Sequence, residues 1–418
     1  MTTSTPQSTL SFPRETFAKL SPHPYLLAHL QPSSADKPST RANGRTPSQF
    51  RTPHINNGSL THAEGSAVVR IGDTTVVCGI RGEILLARDV PNYRSDRTST
   101  TPSSKSGYNE PKELDLLVPN IELATGCSPA FLPGQSPSSL AQSLSTRIYS
   151  LLHSSALVDG EDLRIWYQPP NMTEDSKMDE DDEEEGSAIM EAEVKAFWTL
   201  YIDILFISLD GNPFDAAWAA VLSALGDVRL PKAYWDPDRE MVLCEDKIAQ
   251  SKQLNLRGFP IAVTFLVFKG KEQDKEQWIL VDPDSFEESL CDESVTLVVD
   301  RSQGPGTKIL GFSKAGGTVV DREELKQIAE LAAIDLKDQV RLYGRIIRLN
   351  VVGRPQHLGL YQRKYWYANA KHVAPGHLND YESLSHTPAS RTAPESNGKD
   401  DADVVLCLSC RAPSKTVE

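Results

Sequence analysis

Between Val194 and Leu209 the chain reads VKAFWTLYIDILFISL, an almost unbroken apolar run rich in aromatic and β-branched side chains. A run this apolar, without alternation, predicts a central strand buried on both faces. Asp210-Gly211-Asn212 turns the chain. Phe214–Leu225 (FDAAWAAVLSAL) follows as an Ala-rich helix, with Pro213 at the first position, where a missing N–H costs nothing.

The flanking segments supply more strands and helices. Ser66–Ile84 carries two Val-rich runs around Gly72-Asp73 and predicts a hairpin. Leu114–Leu123 and Leu163–Gln168 read as strands. Ser138–Ser154 places Leu140, Leu144, Ile148, Leu151 and Leu152 at helical spacing. Further on, strands are predicted at Ile261–Phe268, Trp278–Val281, Val295–Asp300 and Lys308–Ser313. Asp321 and Glu324 have the spacing of a capping box. The helix behind them aligns Leu325, Ile328, Ala329, Ala332, Leu336, Val340 and Tyr343. Strands then helices, twice over, make the fold class α+β, with helices packed on mixed β-sheets in two pseudo-repeated halves.

Four regions follow from this pattern. Residues 1–40 hold a short amphipathic helix (Tyr25–Leu30) and a Pro/Ser/Thr-rich link, Gln31–Thr40. The first half spans 41–235 and includes a polar, loop-like stretch at 88–111 and an acidic loop at about 171–190. The second half spans 236–385. Residues 386–418, rich in Ser, Pro, Asp and Asn, read as a disordered tail.

The net charge of −14 argues against a surface that binds nucleic acid everywhere. Half of that excess is local, because Asp179–Glu185 is seven consecutive acids, a block that repels itself and stays solvated. The six cysteines are scattered, and the N-terminus lacks the apolar core of a signal peptide, which together point to a reduced intracellular compartment. Cys407 and Cys410 form a CxxC with no second pair near it, so a plain tail is favoured over zinc. The longest apolar run, Phe259–Phe268, is too short to span a membrane. There is no P-loop, no HExxH and no GxSxG, and the nine histidines are dispersed.

Three ordered blocks go further. The first is Arg41-Ala-Asn-Gly-Arg45, Phe50-Arg51 and Gly65-Ser-Ala-Val-Val-Arg-Ile-Gly-Asp-Thr-Thr-Val-Val-Cys-Gly79. The second is Trp198–Asp203, Leu209-Asp-Gly-Asn212 and Asp215-Ala216. The third is Phe259-Pro-Ile-Ala-Val-Thr-Phe265 with Ile279-Leu-Val-Asp-Pro283. Over roughly residues 20–370 they resemble the RNase PH family as found in exosome rings, except that Asn43 stands where the family has aspartate. Each block also has a purely structural reading: Gly72-Asp73 needs only a tight turn, and Gly65 suits a close backbone approach. That structural reading is the favoured one.

Active members of the family are phosphorolytic exoribonucleases. The resemblance implies a phosphate loop in which Asp-Gly is followed by Gly-Thr-Arg at a helix N-terminus. This chain has Asp210-Gly211-Asn212-Pro213-Phe214 there, without the threonine hydroxyl or the arginine, and Pro213 lacks an N–H. Active members also carry Glu-Glu-Asp and a further aspartate. Glu287-Glu288-Ser289 and Val295 fall on those positions. Asp282, Asp284, Asp292 and Asp300 lie nearby and read as solvated turns. Arg147 matches a substrate-side arginine of active members, but one arginine does not make a phosphate pocket.

The resemblance therefore implies a non-catalytic ring scaffold with no cofactor of its own. Its partners would be other RNase PH-like ring subunits, OB-fold and KH cap subunits, a processive hydrolytic exoribonuclease and single-stranded RNA in the central channel, in nucleus, nucleolus and cytoplasm. Competing readings are an active phosphorolytic enzyme, a sister inactive ring subunit and a free RNA-binding protein. Arg94, Arg97 and Lys105, in the loop at 88–111, join Arg147 as candidate RNA contacts. From Arg341 to His372 there are no acids, seven cations and interleaved aromatics. This mixture suits RNA stacking and also a protein interface. The interface is favoured, with Tyr361, Arg363, Tyr365 and Trp366 as its candidates.

Overall fold

The computed structural model describes residues 13–31, 38–91, 93, 106–169, 192–245, 247–270, 277–300, 308–317 and 320–334. Two short helices, α1 (Arg14–Leu20) and α2 (Pro22–Leu30), open the chain. The strands of the first sheet are β1 (Pro53–Asn57), β2 (Gly65–Ile71), β3 (Thr74–Leu86), β4 (Leu117–Leu123), β5 (Arg164–Tyr167) and β6 (Glu193–Ser208). They lie in the order β1-β2-β3-β6-β4, with β5 also on β6. Only the β4–β6 pair is parallel among them, so the sheet is mixed. Helices α3 (Ser106–Glu113), α4 (Ser139–Ser155), α5 (Gly160–Leu163) and α6 (Pro213–Asp227) belong to this half.

Short strands β7 (Arg229–Leu230), β8 (Ala233–Asp236), β9 (Met241–Cys244) and β10 (Lys252–Gln253) follow, paired as β7 with β10 and β8 with β9. The second sheet, antiparallel throughout, comprises β11 (Ile261–Lys269), β12 (Gln277–Val281), β13 (Glu293–Asp300) and β14 (Lys308–Ala315), in the order β12-β11-β13-β14. A one-turn helix, α7 (Ser285–Glu288), joins β12 to β13, and α8 covers 322–334.

Strand β6 is central but is buried on both faces only over Ala196–Leu200; beyond that burial alternates and Asp203 and Ile207 are exposed, so the apolar run is not enclosed along its whole length, whereas α6 is. Every residue from Phe214 to Asp227 is buried, because α6 is packed against β2 and β3 on one side and β11 on the other. A helix apolar all round is stable only when enclosed in this way. Gly65 permits the close packing: a Cβ there would lie 2.6 Å from the Ala224 carbonyl oxygen. On the second sheet, Ile261, Val263, Phe265, Val295, Leu297 and Val299 form a face with Ile328 and Ala332 of α8. The opposite face meets Leu26 and Leu30 of α2 through Leu266, Phe268 and Leu280.

The predicted long elements are present with small boundary changes. Residues 106–113 form α3 where the sequence reads as loop. The strand predicted from Leu114 begins at Leu117, since Asp115 has φ +48° and breaks the extended backbone. β1 carries Pro and two Asn, residues poor in intrinsic strand preference, and forms because β2 offers its edge. At α8 the Asp321 N–H donates to Glu324 Oε2 at 2.9 Å. Leu336, Val340 and Tyr343 lie outside the described residues, as do the acidic block Asp179–Glu185, the CxxC and the 386–418 tail. No described helix is long and apolar enough to cross a membrane.

Candidate functional site

The turn between β6 and α6 meets the turn between β12 and β13, and the two are locked together. Gly211 has φ +69°, and a Cβ on it would lie 2.4 Å from the Asp284 carbonyl carbon, so only glycine fits. Thr74 at the start of β3 ties the first turn down. Its Oγ1 donates to the Gly211 carbonyl at 3.0 Å and accepts from the Asp210 N–H at 2.9 Å. The Asp210 carboxylate accepts from the Ser285 hydroxyl at 2.7 Å.

Asn212, at the cap position of α6, adopts φ +49° and is buried. Its side-chain amide donates to Asp215 Oδ2 and Asp282 Oδ1, both at 2.8 Å, and its N–H donates to Glu288 Oε1 at 2.7 Å. Asp215 in turn accepts from the N–H and hydroxyl of Thr264, at 2.7 and 2.8 Å. Burial pushes the Asp215 carboxyl up to about 6, against the hydrogen bonds of Asn212 and Thr264.

Arg51 closes the other side. Its Nε and N–H donate to Asp282 Oδ2 at 2.8 and 2.9 Å, and Nη2 donates to Oδ1 at 2.7 Å. Nη1 donates to the Asp210 carbonyl at 2.9 Å. Burial alone raises a carboxyl, yet the Arg51 hydrogen bonds and charge outweigh it and hold Asp282 below its ordinary value. The remaining cavity, lined by Phe50, Arg51, Asn212, Asp215 and Asp282 among others, is about 30 Å³. That is room for about two waters.

The Arg41–Arg45 block grips the same β12–β13 turn. Arg41, fully buried, donates to the Val281 carbonyl at 2.5 Å and pairs with buried Glu287 at 3.3 Å. Burial lowers the Arg41 guanidinium to about 10, opposed by Glu287. Arg45 donates to the Asp282 carbonyl at 3.0 Å, and the Asn43 amide donates to Asp284 Oδ2 at 2.8 Å. An aspartate at 43 would set two carboxylates against each other, so the amide suits this turn. Asp284 also caps α7 in a reciprocal capping box with Glu287.

Several sequence expectations change here. Asp282 and Asp300 are buried, 4% and 7% exposed, and are not solvated turns. Asp282 is fixed by Arg51, Arg45 and Asn212, and Asp300 accepts from the Phe259 N–H. Asp292 is exposed, as read from the sequence. Arg147 on α4 lies with its guanidinium 3.9 Å from the Phe214 ring centroid and donates to Thr296 Oγ1 at 3.2 Å. It therefore reaches Phe214 in the first turn of α6. Arg94, Arg97, Lys105, Tyr361, Arg363, Tyr365 and Trp366 lie outside the described residues. Arg51 and Asp282 stand in the sequence blocks quoted above, but their pairing spans 231 positions and no spacing signal marks it.

The locked turns sit on a fold that known proteins share. Residues 49–231 match the model of the 3' exoribonuclease family, domain 1, and residues 258–334 match its domain 2. The chain belongs to this family, the RNase PH family. The Schizosaccharomyces pombe protein "Exosome complex component rrp43" is 33% identical over 325 residues, which is 77% of this chain and 95% of that protein. "Exosome complex component Rrp42" of Methanopyrus kandleri is 29% identical, covering 63% of this chain and 76% of that one. Two solved structures share the fold. "Archaeoglobus fulgidus exosome with RNA bound to the active site" superposes with a TM-score of 0.52 at 23% identity, over 76% of this chain and 96% of the other. "Archaeal exosome core" gives 0.50 at 21%, over 80% and 100%.

Proposed function

We propose that this chain is a non-catalytic structural subunit of an RNA exosome core ring, supporting 3'-5' RNA processing and degradation, ribosomal RNA maturation included. One observation carries the non-catalytic part. Where an active relative needs an open anion site at the head of α6, this chain's own carboxylates fill the place: Glu288 takes the Asn212 N–H, and Asp282 takes Arg51. Phosphate entering there would meet Asp210, Asp215 and Glu288, an unfavourable field, with Arg51 already committed to Asp282 and no free donor set among the described residues to hold it.

On this reading the two halves, 41–235 and 236–385, form one ring position beside other RNase PH-like subunits. Cap subunits with OB-fold and KH domains sit on one face of the ring, and a processive hydrolytic exonuclease acts on RNA threaded through the channel. The stretch Arg341–His372, with Tyr361, Arg363, Tyr365 and Trp366, belongs to a subunit interface. Arg94, Arg97, Lys105 and Arg147 are its candidate RNA contacts. The compartments are nucleus, nucleolus and cytoplasm. The similarity to proteins named as exosome components supports the assembly, and the closed α6 turn supports the lack of chemistry.

The test is direct. The purified chain, incubated with single-stranded RNA, magnesium and inorganic phosphate, releases no nucleoside diphosphate. Phosphate-dependent release at the rate of an active relative would overturn the reading.

A further inference from the structure

Between Arg147 of α4 and Asp215 of α6 stand two buried threonines, Thr296 of β13 and Thr264 of β11. Arg147 Nη2 donates to Thr296 Oγ1 at 3.2 Å, the two hydroxyl oxygens lie 3.1 Å apart, and the Thr264 hydroxyl donates to Asp215 Oδ1 at 2.8 Å. A guanidinium only donates and an ionised carboxylate only accepts. With both ends fixed, the two hydroxyls between them must point the same way, so Thr296 donates to Thr264. This relay crosses between the halves of the fold, since α4 and α6 belong to the first and β11 and β13 to the second.

Proton uptake at Asp215 reverses this order. Oδ2 already accepts from the Asn212 amide and the Thr264 N–H, at 2.8 and 2.7 Å, so Oδ1 is the oxygen left to hold a proton. That O–H faces Thr264 Oγ1, whose own hydrogen then turns to Thr296 Oγ1. Thr296 must now accept from Thr264 and Arg147 at once, and its hydrogen loses the acceptor it had. One proton arrives from solvent, two hydroxyls rotate and no proton leaves. Charged groups act on Asp215 from Arg147 of α4, from Asp282 in the turn after β12 and from Glu288 of α7. Asp282 is itself held by Arg51. Burial and the Asp282 charge push the Asp215 carboxyl up to about 6, which brings the step into a mildly acid range.

We propose that Thr264 and Thr296 form a proton-linked relay between the halves: ionised Asp215 holds Arg147 on β13 through the two hydroxyls, and protonated Asp215 weakens that hold. The coupling is reciprocal, so whatever draws Arg147 off Thr296 strengthens proton binding at Asp215. The stacking of Arg147 on the Phe214 ring is unaffected by the reversal and keeps the guanidinium near the head of α6 in both states.

Carbon NMR of the full chain, labelled at the aspartate carboxyls, follows Asp215 against pH, with Asp215→Asn identifying its signal. Thr296→Val removes one hydroxyl, keeps the branched shape and leaves the Arg147 charge in place. It should raise the Asp215 midpoint by about half a unit, a roughly three-fold tighter hold on the proton. Thr296→Ser keeps the hydroxyl and should titrate with the native chain. In the native chain itself, the Arg147 Nε–H signal should move with the Asp215 midpoint. An unchanged midpoint in Thr296→Val overturns the proposal, as does a shift in Thr296→Ser as large as in Thr296→Val, since packing and not the hydroxyl would then be the cause. So does an Arg147 signal that stays still between about pH 5 and pH 7, a result that needs neither threonine variant to fold.

Discussion

Arg51 and Asp282 form a two-point pair, Nε to Oδ2 at 2.8 Å and Nη2 to Oδ1 at 2.7 Å, across the join between the two halves of the fold. Both side chains are under 10% exposed. The arginine that faces the α6 turn is thereby committed to a carboxylate of its own chain. Removing one partner leaves the other charge buried and unpaired, so Asp282→Ala should cost about 3–5 kcal/mol. The double variant Arg51→Ala/Asp282→Ala should cost less than the two singles added together, with a coupling of about 1–3 kcal/mol. Urea unfolding of the four proteins measures this.

Asp215 and Asp282 respond to pH in opposite senses. Asp282 is held low, so its contribution is present above the ordinary carboxylate range and is lost as pH falls below it. Asp215 is pushed up to about 6, so the folded chain holds its proton where the unfolded chain does not. Its contribution is therefore full below about pH 4 and declines as pH rises through 6, by up to about 3 kcal/mol. Asp215→Asn removes that titration. The stability gap between native chain and variant should narrow between about pH 4 and pH 6.5, as read by denaturant unfolding at each pH. A constant gap contradicts the assignment.

Rebuilding the missing motif should not rebuild the activity. The triple variant Asn212→Gly, Pro213→Thr, Phe214→Arg restores the family's Gly-Thr-Arg but leaves Asp282, Asp215 and Glu288 in the place of the anion. It should show no phosphate-dependent release of nucleoside diphosphates. Thin-layer or liquid chromatography of the reaction checks this.

Trp198 of β6 is 3% exposed and faces Gly82, where a Cβ would come within 3.2 Å of its ring. Trp198→Ala should cost about 3–5 kcal/mol, enough to threaten a domain of ordinary stability. Thermal unfolding of the full chain reads it.

Deleting Asp179–Glu185 should leave the melting temperature and ring assembly unchanged, as expected of seven consecutive acids that repel one another and keep to solvent. A melting temperature lowered by several degrees would mean that the acids pack on the fold.

The long elements were legible in the sequence because each has one dominant signal: the apolar run of β6, the Ala-rich α6, the Leu/Ile spacing of α4. The short strands β1 and β7–β10 were not, since a neighbour's edge makes them and not their composition. At the site, the absence of Gly-Thr-Arg was readable, as was the close backbone approach at Gly65, whereas the grip of Arg41 and Arg45 on the β12–β13 turn was not. The burial of Asp282 was not. An aspartate before a proline at a strand end has the composition of a solvated turn, and only Arg51, 231 positions earlier, makes it a buried anchor. The capping box Asp284–Glu287 has its i, i+3 spacing in the sequence, but Glu287 and Glu288 also fall where active relatives carry acids, and that second signal masks the first.

As a proposed structural member of a ring and not an enzyme on its own, this chain should purify within a larger assembly. Native mass spectrometry of the assembly that purifies with the full chain tests it most directly. The expected result is a complex in which this chain occurs once among six RNase PH-like chains, with OB-fold and KH chains attached. A 46.1 kDa monomer or a ring made of this chain alone would contradict it.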